Sequence, residues 1–118
     1  MIGTAAMLRT VAESGEGVLV LIDGIVEAEF RRSRITRTEV RRLLLLMAAT
    51  LAALPPAAHA RMPELDRAGW KAAARSIETA PDERDDALWF AARSLVPATL
   101  SWLRVYQREQ PGLFSFTA

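Results

Sequence analysis

The chain has 118 residues, of which 51% are hydrophobic and 25% are charged, and its formal net charge is +1. This length and balance predict one globular domain, residues 1–118, rather than a disordered chain. The sequence has no cysteine and one histidine, His59, which excludes disulfide scaffolds, cysteine-ligated zinc, iron–sulfur clusters and thiol nucleophiles. We therefore expect no metal site and no cofactor.

The targeting signals of the chain are weak. Its first thirteen residues lack a basic stretch followed by an apolar core, so no standard secretory signal is predicted there. The apolar run 43–54 is shorter than the roughly 20 residues that a bilayer span needs, and Pro55-Pro56 interrupt it. The sequence therefore predicts a cytoplasmic protein without membrane contact.

The first helical region extends over residues 4–30. Its apolar stripe at helical spacing consists of Leu21, Ile22, Ile25, Val26 and Phe30. Gly15 and Gly17 lie inside the region, and each lowers helix propensity by about 1 kcal/mol relative to Ala. We expect these glycines to interrupt the region, which then forms one bent helix or two helices.

The second helix is predicted to begin near Thr36, because Thr36-x-x-Glu39 has the form of a capping box. Pro55-Pro56 end it. Its core stripe is Val40, Leu43, Leu44, Met47, Leu51 and Leu54. Further apolar residues cover most of its remaining circumference: Leu45, Leu46, Ala49 and Ala53. Such a helix is central in a bundle or lies at a subunit interface, so we expect a homodimer.

The rest of the chain is predicted to form a loop, two further helices and a short apolar tail. Asp66 is positioned to cap a third helix over residues 67–77. A fourth helix covers residues 82–110 and is kinked at Pro97. The tail, residues 113–116, either packs back or contacts a partner. The predicted fold is thus all-α, an antiparallel bundle of four or five helices.

Charged residues concentrate in two places. Six arginines fall between residues 31 and 42, and Arg34, Arg37 and Arg41 among them share a helix face. Guanidinium groups suit phosphate, so this face predicts a site for RNA, a nucleotide or an acidic partner, with a plain solvated face as the alternative. The acidic run 82–86 is interpreted as a helix start rather than a metal site. His59 follows Pro55-Pro56 and is predicted to be an exposed loop residue.

Several short motifs follow one another in a distinctive order between residues 29 and 111. They are Glu29-x-x-x-x-Arg34-x-Thr36-Arg37-x-x-Val40, Leu54-Pro55-Pro56, Arg61-Met62-Pro63-Glu64-Leu65-Asp66-x-x-x-Trp70, Leu88-Trp89 and Leu95-Val96-Pro97-x-x-Leu100. In order and spacing the segment resembles the HepT-like proteins of the HEPN superfamily, which are small helical proteins encoded beside a minimal nucleotidyltransferase.

This resemblance implies a homodimer in which the Arg-containing helices of two protomers meet at a cleft. Arg75 falls where the family has its functional arginine. In active members a histidine follows that arginine by four to six residues, and the pair cleaves RNA as a toxin. The partner nucleotidyltransferase is the antitoxin and modifies a tyrosine just after the histidine. Here Arg75 is followed by Ser76-Ile77-Glu78-Thr79-Ala80-Pro81, with neither histidine nor tyrosine.

Three functions therefore remain open on the sequence. The first is a non-catalytic HepT-like protein that binds a nucleotidyltransferase of a toxin–antitoxin-type system, with Arg34, Arg37, Arg41 and Arg75 able to hold RNA or nucleotide phosphate. The second is an RNase that uses Arg75 with a different acid/base group, for which Glu78 is the nearest choice. The third is a helical interaction module with no role in nucleic-acid binding.

Overall fold

The computed structural model describes residues 2–116, and within that range the chain is helical and contains no strand. The predicted all-α class is thus confirmed. The helices are α1 (Ile2–Ile22), α2 (Glu27–Arg32), α3 (Arg34–Ala53), α4 (Pro56–Ala60), α5 (Arg67–Thr79), α6 (Arg84–Phe90) and α7 (Val96–Glu109). Short 3₁₀ turns occur at Pro81–Glu83 and Pro111–Phe114, and a π-helical turn, Ala91–Leu95, joins α6 to α7.

The prediction that Gly15 and Gly17 interrupt the first helical region is wrong. Helix α1 passes through both glycines, and the break comes later, at Gly24, whose φ of +73° favours glycine. Gly15 instead permits close packing, because a Cβ there would lie 2.9 Å from Cδ2 of Leu100. The missing side chain allows α1 to approach α7, and tertiary contact outweighs the low helix propensity.

Helix α3 begins earlier than the capping-box motif predicts. Its N-cap is Ser33, whose hydroxyl accepts a hydrogen bond from the backbone N–H of Thr36 at 3.3 Å. Glu39 does not return to the helix start, because its carboxylate accepts hydrogen bonds from Arg42. The predicted core stripe is confirmed, since all six of its residues are buried: Val40, Leu43, Leu44, Met47, Leu51 and Leu54.

The segment after α3 is more ordered than predicted. Pro55 and Pro56 end α3, but Pro56 also starts the short helix α4, because proline fits the first turn of a helix. His59 therefore lies in a helix and is only 8% exposed, so the prediction of an exposed loop histidine is wrong. Its neighbour Ala58 is fully buried, and together they hold α4 against the core.

The C-terminal half follows the predicted order with one local change. Asp66 caps α5 by accepting a hydrogen bond from the Gly69 N–H at 2.8 Å, as expected. Residues 84–109 then form a continuous helical path. The π turn precedes Pro97, which has no N–H to donate to the carbonyl four residues back, and the wider turn accommodates that loss. Leu113 is fully buried, so the tail packs back.

Helix α3 is the central element. It contacts α1, α2, α5, α6 and the π turn. The molecule nevertheless measures only 19 Å along its shortest axis, about two helix diameters. Each helix in such a thin body keeps one side open to solvent. In the second half of α3 that side is apolar, with Leu46, Ala49, Ala52 and Ala53 exposed. None of the helices within residues 2–116 has both the length and the apolarity to cross a membrane.

Candidate binding cleft between α3 and α5

An open cleft of about 540 Å³ runs between α3 and α5. Its α3 wall is apolar and mostly of small side chains: Leu45, Ala48, Ala49, Leu51 and Ala52. Its α5 wall mixes small and charged residues: Arg67, Ala68, Trp70, Lys71, Ala74 and Glu78. Alanines thus occupy both walls, and a bound segment is able to come close to the two backbones.

Two sets of contacts place α5 alongside α3. At one end His59 lies close to both Leu51 and Arg67, which brings the last turns of α3 to the start of α5. At the other end Arg37 forms an ion pair with Asp85 at 3.6 Å, which holds the start of α6 beside the first turns of α3. Helix α5 therefore runs back along α3, and the cleft follows their junction.

Three cations line the outer edge of α5. Arg67, Lys71 and Arg75 are spaced four residues apart, so they form one ridge along the helix. All three are exposed, and no ion pair among the described residues involves them. Sequence reasoning identified only Arg75 and missed the other two, although the regular spacing of four was visible in the sequence.

The arginine cluster before and within α3 is divided by its ion pairs. Arg31 pairs with Glu27 and Asp86, Arg37 with Asp85, and Arg42 with Glu39. The acidic run 82–86 thus supplies carboxylates that neutralise part of the basic cluster. The paired residues are 48 and 55 positions apart in the sequence, so no local pattern predicts these ion pairs.

Besides Arg32, the arginines of this cluster outside these ion pairs are Arg34 and Arg41. Helical spacing aligns both with Leu45 on the side of α3 that faces the cleft. Arg34 is exposed, whereas Arg41 is half-buried and its Nε atom has no hydrogen-bond partner. A phosphate site on this surface would therefore depend on Arg34, Arg41 and Arg75 more than on Arg37, and the predicted role of these residues remains a prediction.

The surroundings of Arg75 decide what chemistry it can perform. Ser76 lines a separate depression between α5 and α6, and Ile77 is buried. Glu78 is exposed one turn beyond Arg75 and forms no ion pair with it. His59 lies beside Arg67, and the eight residues from Arg67 to Arg75 place the arginine about 12 Å further along α5. His59 is thus not a partner for Arg75 within one chain.

His59 has an unusual environment of its own. Both ring nitrogens are buried without a hydrogen-bond partner. Burial lowers the pKa of the imidazole below its usual 6.5, and the positive charge of Arg67 lowers it further, while the nearby Leu51 carbonyl has a smaller opposing effect. The imidazole is therefore neutral at neutral pH, and its burial in α4 suits packing better than proton transfer.

A second surface of α3 borders the cleft and shares Ala49 with it. An outer stripe of apolar residues points away from the core there: Ile35, Leu46, Ala49 and Ala53. Ile35 is 85% exposed and Leu46 is 39% exposed. Beside the stripe is a shallow depression against α1, lined by Ala6, Met7, Thr10, Ala49, Thr50 and Ala53. This outer stripe explains why the sequence of α3 is apolar on more than one face.

Comparison with known proteins identifies no relative of this chain. No protein-family model, no curated protein and no solved structure matches the chain. Among the described residues, no group of three or more His, Cys, Asp or Glu side chains is arranged to hold a metal ion. Within residues 2–116 the protein is all-helical, and α3 contributes both an apolar wall of the cleft and an exposed apolar stripe.

Proposed function

We propose that this chain is a HepT-like binding protein that forms a homodimer and binds a nucleotidyltransferase of a toxin–antitoxin-type system in the cytoplasm. In this proposal α1, α3, α5 and the continuous α6–α7 helix act as an antiparallel bundle. The chain binds its partners without cleaving RNA. The support comes from the order of its motifs, from Arg75 on the exposed side of α5, and above all from the apolar faces of α3.

The outer stripe of α3 is the observation that carries this proposal. In the second half of α3, Leu46, Ala49 and Ala53 are exposed on one face of the helix. Ile35 is exposed further along the same face, beyond the ion pair of Arg42 with Glu39. Contiguous exposed apolar surface of this kind is typical of protein–protein interfaces, whereas single exposed apolar residues are common and need no explanation. Small residues at Ala49 and Ala53 allow a second helix to approach closely. We assign self-association to this stripe.

The non-catalytic part of the proposal depends on the residues around Arg75. A guanidinium group remains protonated near neutral pH and does not act as a general base. RNA cleavage needs a proton-transfer group within reach of the reacting oxygen. Glu78 is the only titratable residue among the four that follow Arg75, and the sole histidine lies at the other end of α5.

Light scattering coupled to size-exclusion chromatography tests the self-association. The expected mass at micromolar concentration is twice the 13.0 kDa of one chain. The Leu46→Glu variant is expected to elute as a monomer with an unchanged far-UV circular dichroism spectrum, because the new carboxylate lies in the stripe. Phe90→Glu is the matched control, since Phe90 is a 56% exposed apolar residue on α6. A monomeric native chain would contradict the assignment.

An RNase is the second candidate, and one observation favours it: Arg75 and Glu78 are both exposed and unpaired on the same side of α5. Purified native protein, Arg75→Ala and Glu78→Gln are to be incubated with RNA in a nuclease-free assay. The binding proposal predicts no cleavage by any of the three. Cleavage by the native protein that both substitutions abolish would establish the RNase instead.

A further inference from the structure

We propose that the cleft between α3 and α5 binds an amphipathic helix of a partner protein, and that this helix carries acidic side chains along one edge. The inference rests on the proposed binding function and specifies the chemistry of the segment that is bound. It concerns the cleft, which borders at Ala49 the outer stripe of α3 to which self-association is assigned.

The shape of the cleft suits a helix. From Arg67 to Glu78 the α5 wall spans eleven residue steps, about 16 Å, which is three helical turns. Alanines face the cleft from both walls, at Ala48 and Ala52 on α3 and at Ala68 and Ala74 on α5. Small side chains let helix backbones approach, and an apolar groove between two helices is a common receptor for the apolar face of a third.

The charges on the α5 edge determine the second property of the partner. Arg67, Lys71 and Arg75 form a ridge of exposed cations without ion-pair partners in the described chain. A helix lying along this ridge presents side chains at the same repeat, so acidic residues spaced three or four apart would face the three cations. Glu78 is an anion at the far end of this row. A basic residue at the corresponding end of the partner would therefore set its direction.

The cleft suits other occupants less well. The resemblance to HepT-like proteins implies that the Arg75-containing helices of two protomers meet. A two-fold axis through this edge would, however, set Arg67, Lys71 and Arg75 against the same three cations, which is repulsive, so self-association is assigned to the outer stripe instead. Single-stranded nucleic acid binds best where aromatic rings are available for stacking. The aromatic residue of this cleft is Trp70, which is 2% exposed and donates its indole N–H to Thr99 at 2.9 Å.

Fluorescence anisotropy with designed helical peptides tests the inference. The probe is a fluorescein-labelled 18-residue peptide with a Leu/Ala stripe and three Glu residues spaced four apart. A matched peptide carries Lys at the same three positions. The full-length protein is expected to bind the Glu peptide about tenfold more tightly than the Lys peptide at low salt, with the difference narrowing at high salt.

Two variants locate the binding. Lys71→Glu should weaken the Glu peptide by about tenfold, because it introduces an anion at the centre of the ridge. Ala52→Phe leaves the charges unchanged but fills the cleft, and it should weaken the peptide by a similar factor. The matched control is Arg108→Glu, the same type of charge reversal at an exposed position on α7. It should leave the affinity within about twofold, and circular dichroism verifies that each variant is folded.

Three results would overturn the inference. Equal affinity for the two peptides would show that the ridge does not select acidic residues. Equal effects of Lys71→Glu and Arg108→Glu on the affinity for the Glu peptide would show that the cleft is not the binding site. A 20-nucleotide single-stranded RNA that binds more tightly and displaces the Glu peptide would assign the surface to nucleic acid. If any of these results is obtained but the native chain is dimeric and captures a nucleotidyltransferase, the proposed function still holds. Failure of the cleft inference is therefore distinguishable from failure of the proposed function.

Discussion

The indole Nε1–H of Trp70 donates a hydrogen bond to Oγ1 of Thr99 at 2.9 Å, and both side chains are buried. This bond joins α5 to α7, which are 29 residues apart at the point of contact. It satisfies a donor that would otherwise be desolvated without a partner. Because Trp70 also lines the α3–α5 cleft, the bond fixes the wall that the binding account depends on.

Replacing Thr99 with valine should destabilise the fold. Thr99→Val keeps the shape of the side chain but leaves the Trp70 N–H buried and unpaired, which costs about 1–3 kcal/mol. Urea unfolding measures the change in the free energy of unfolding. Thr50→Val is the control, because the Thr50 hydroxyl only donates to a carbonyl of its own helix, and it should cost less than about 0.5 kcal/mol. Equal losses in the two variants would contradict the role of the hydrogen bond.

Gly15 and Gly17 should respond differently to alanine. A Cβ at Gly15 would lie 2.9 Å from Cδ2 of Leu100 and 3.2 Å from Cε of Met47, so Gly15→Ala overpacks the α1–α7 contact. Overpacking typically costs about 1–3 kcal/mol, which exceeds the gain of about 1 kcal/mol in helix propensity. Gly17→Ala meets only Cδ1 of Leu43, at 3.2 Å, so the helix gain should offset its cost.

Thermal and urea unfolding of the two glycine variants provide the measurement. The expected order of stability is Gly17→Ala at or above the native protein, with Gly15→Ala about 1 kcal/mol below it. The opposite order would show that Gly15 is not needed for close packing and that both glycines only lower the helix propensity of α1.

The stability of the protein should depend on the protonation of His59. Its pKa in the folded state is lowered, chiefly by burial and then by Arg67, relative to the usual 6.5 of the unfolded chain. The unfolded state therefore binds more protons just below pH 6.5, so the free energy of unfolding rises with pH there. The contribution of the neutral imidazole is fully present above about pH 6.5 and is lost as the pH falls toward the folded-state pKa.

This dependence is measurable because His59 is the only histidine. An NMR titration of its ring protons gives the folded-state pKa directly. Urea unfolding from pH 5 to 8, compared with His59→Leu, isolates its contribution from that of carboxylates such as Glu39. A folded-state pKa at or above 6.5, or identical slopes for the two proteins, would contradict the buried and unpaired environment.

Tyr106 fastens the loop before α5 to α7. Its hydroxyl donates a hydrogen bond to the Glu64 carboxylate and accepts one from the Glu64 backbone N–H at 3.0 Å. Burial, followed by the hydrogen bond to Glu64, raises the pKa of Tyr106 to about 12. Tyr106→Phe leaves the Glu64 N–H without this acceptor and should lower the free energy of unfolding by about 1–2 kcal/mol. An ultraviolet titration of the native protein should show the phenol ionising well above pH 10.

Periodic patterns in the sequence predicted the elements well. The core stripe of α3 and the Asp66 cap of α5 lie where the apolar spacing and the turn residues place them. Each of these features is set by neighbours within a few positions of the chain. Local spacing is therefore sufficient to predict them.

Most of the features that the sequence did not predict depend on contacts between distant segments, and the start of α3 is a local exception. Gly15 lies within α1 and permits close packing against Leu100, a contact that the local sequence does not predict. Ser33 rather than Thr36 caps α3, because the two residues compete for one helix start. The ion pair between Arg31 and Asp86 joins residues 55 positions apart, so the sequence does not show that part of the basic cluster is neutralised in the fold.

The proposed partner is best identified by capture of the tagged protein from its native host, followed by mass spectrometry of the proteins and sequencing of any RNA. The account predicts that a small nucleotidyltransferase is captured by the native chain and by Arg108→Glu, and that no RNA fragments of a defined cleavage site accumulate. Capture without any nucleotidyltransferase, or with RNA as the sole specific ligand, would contradict the central claim.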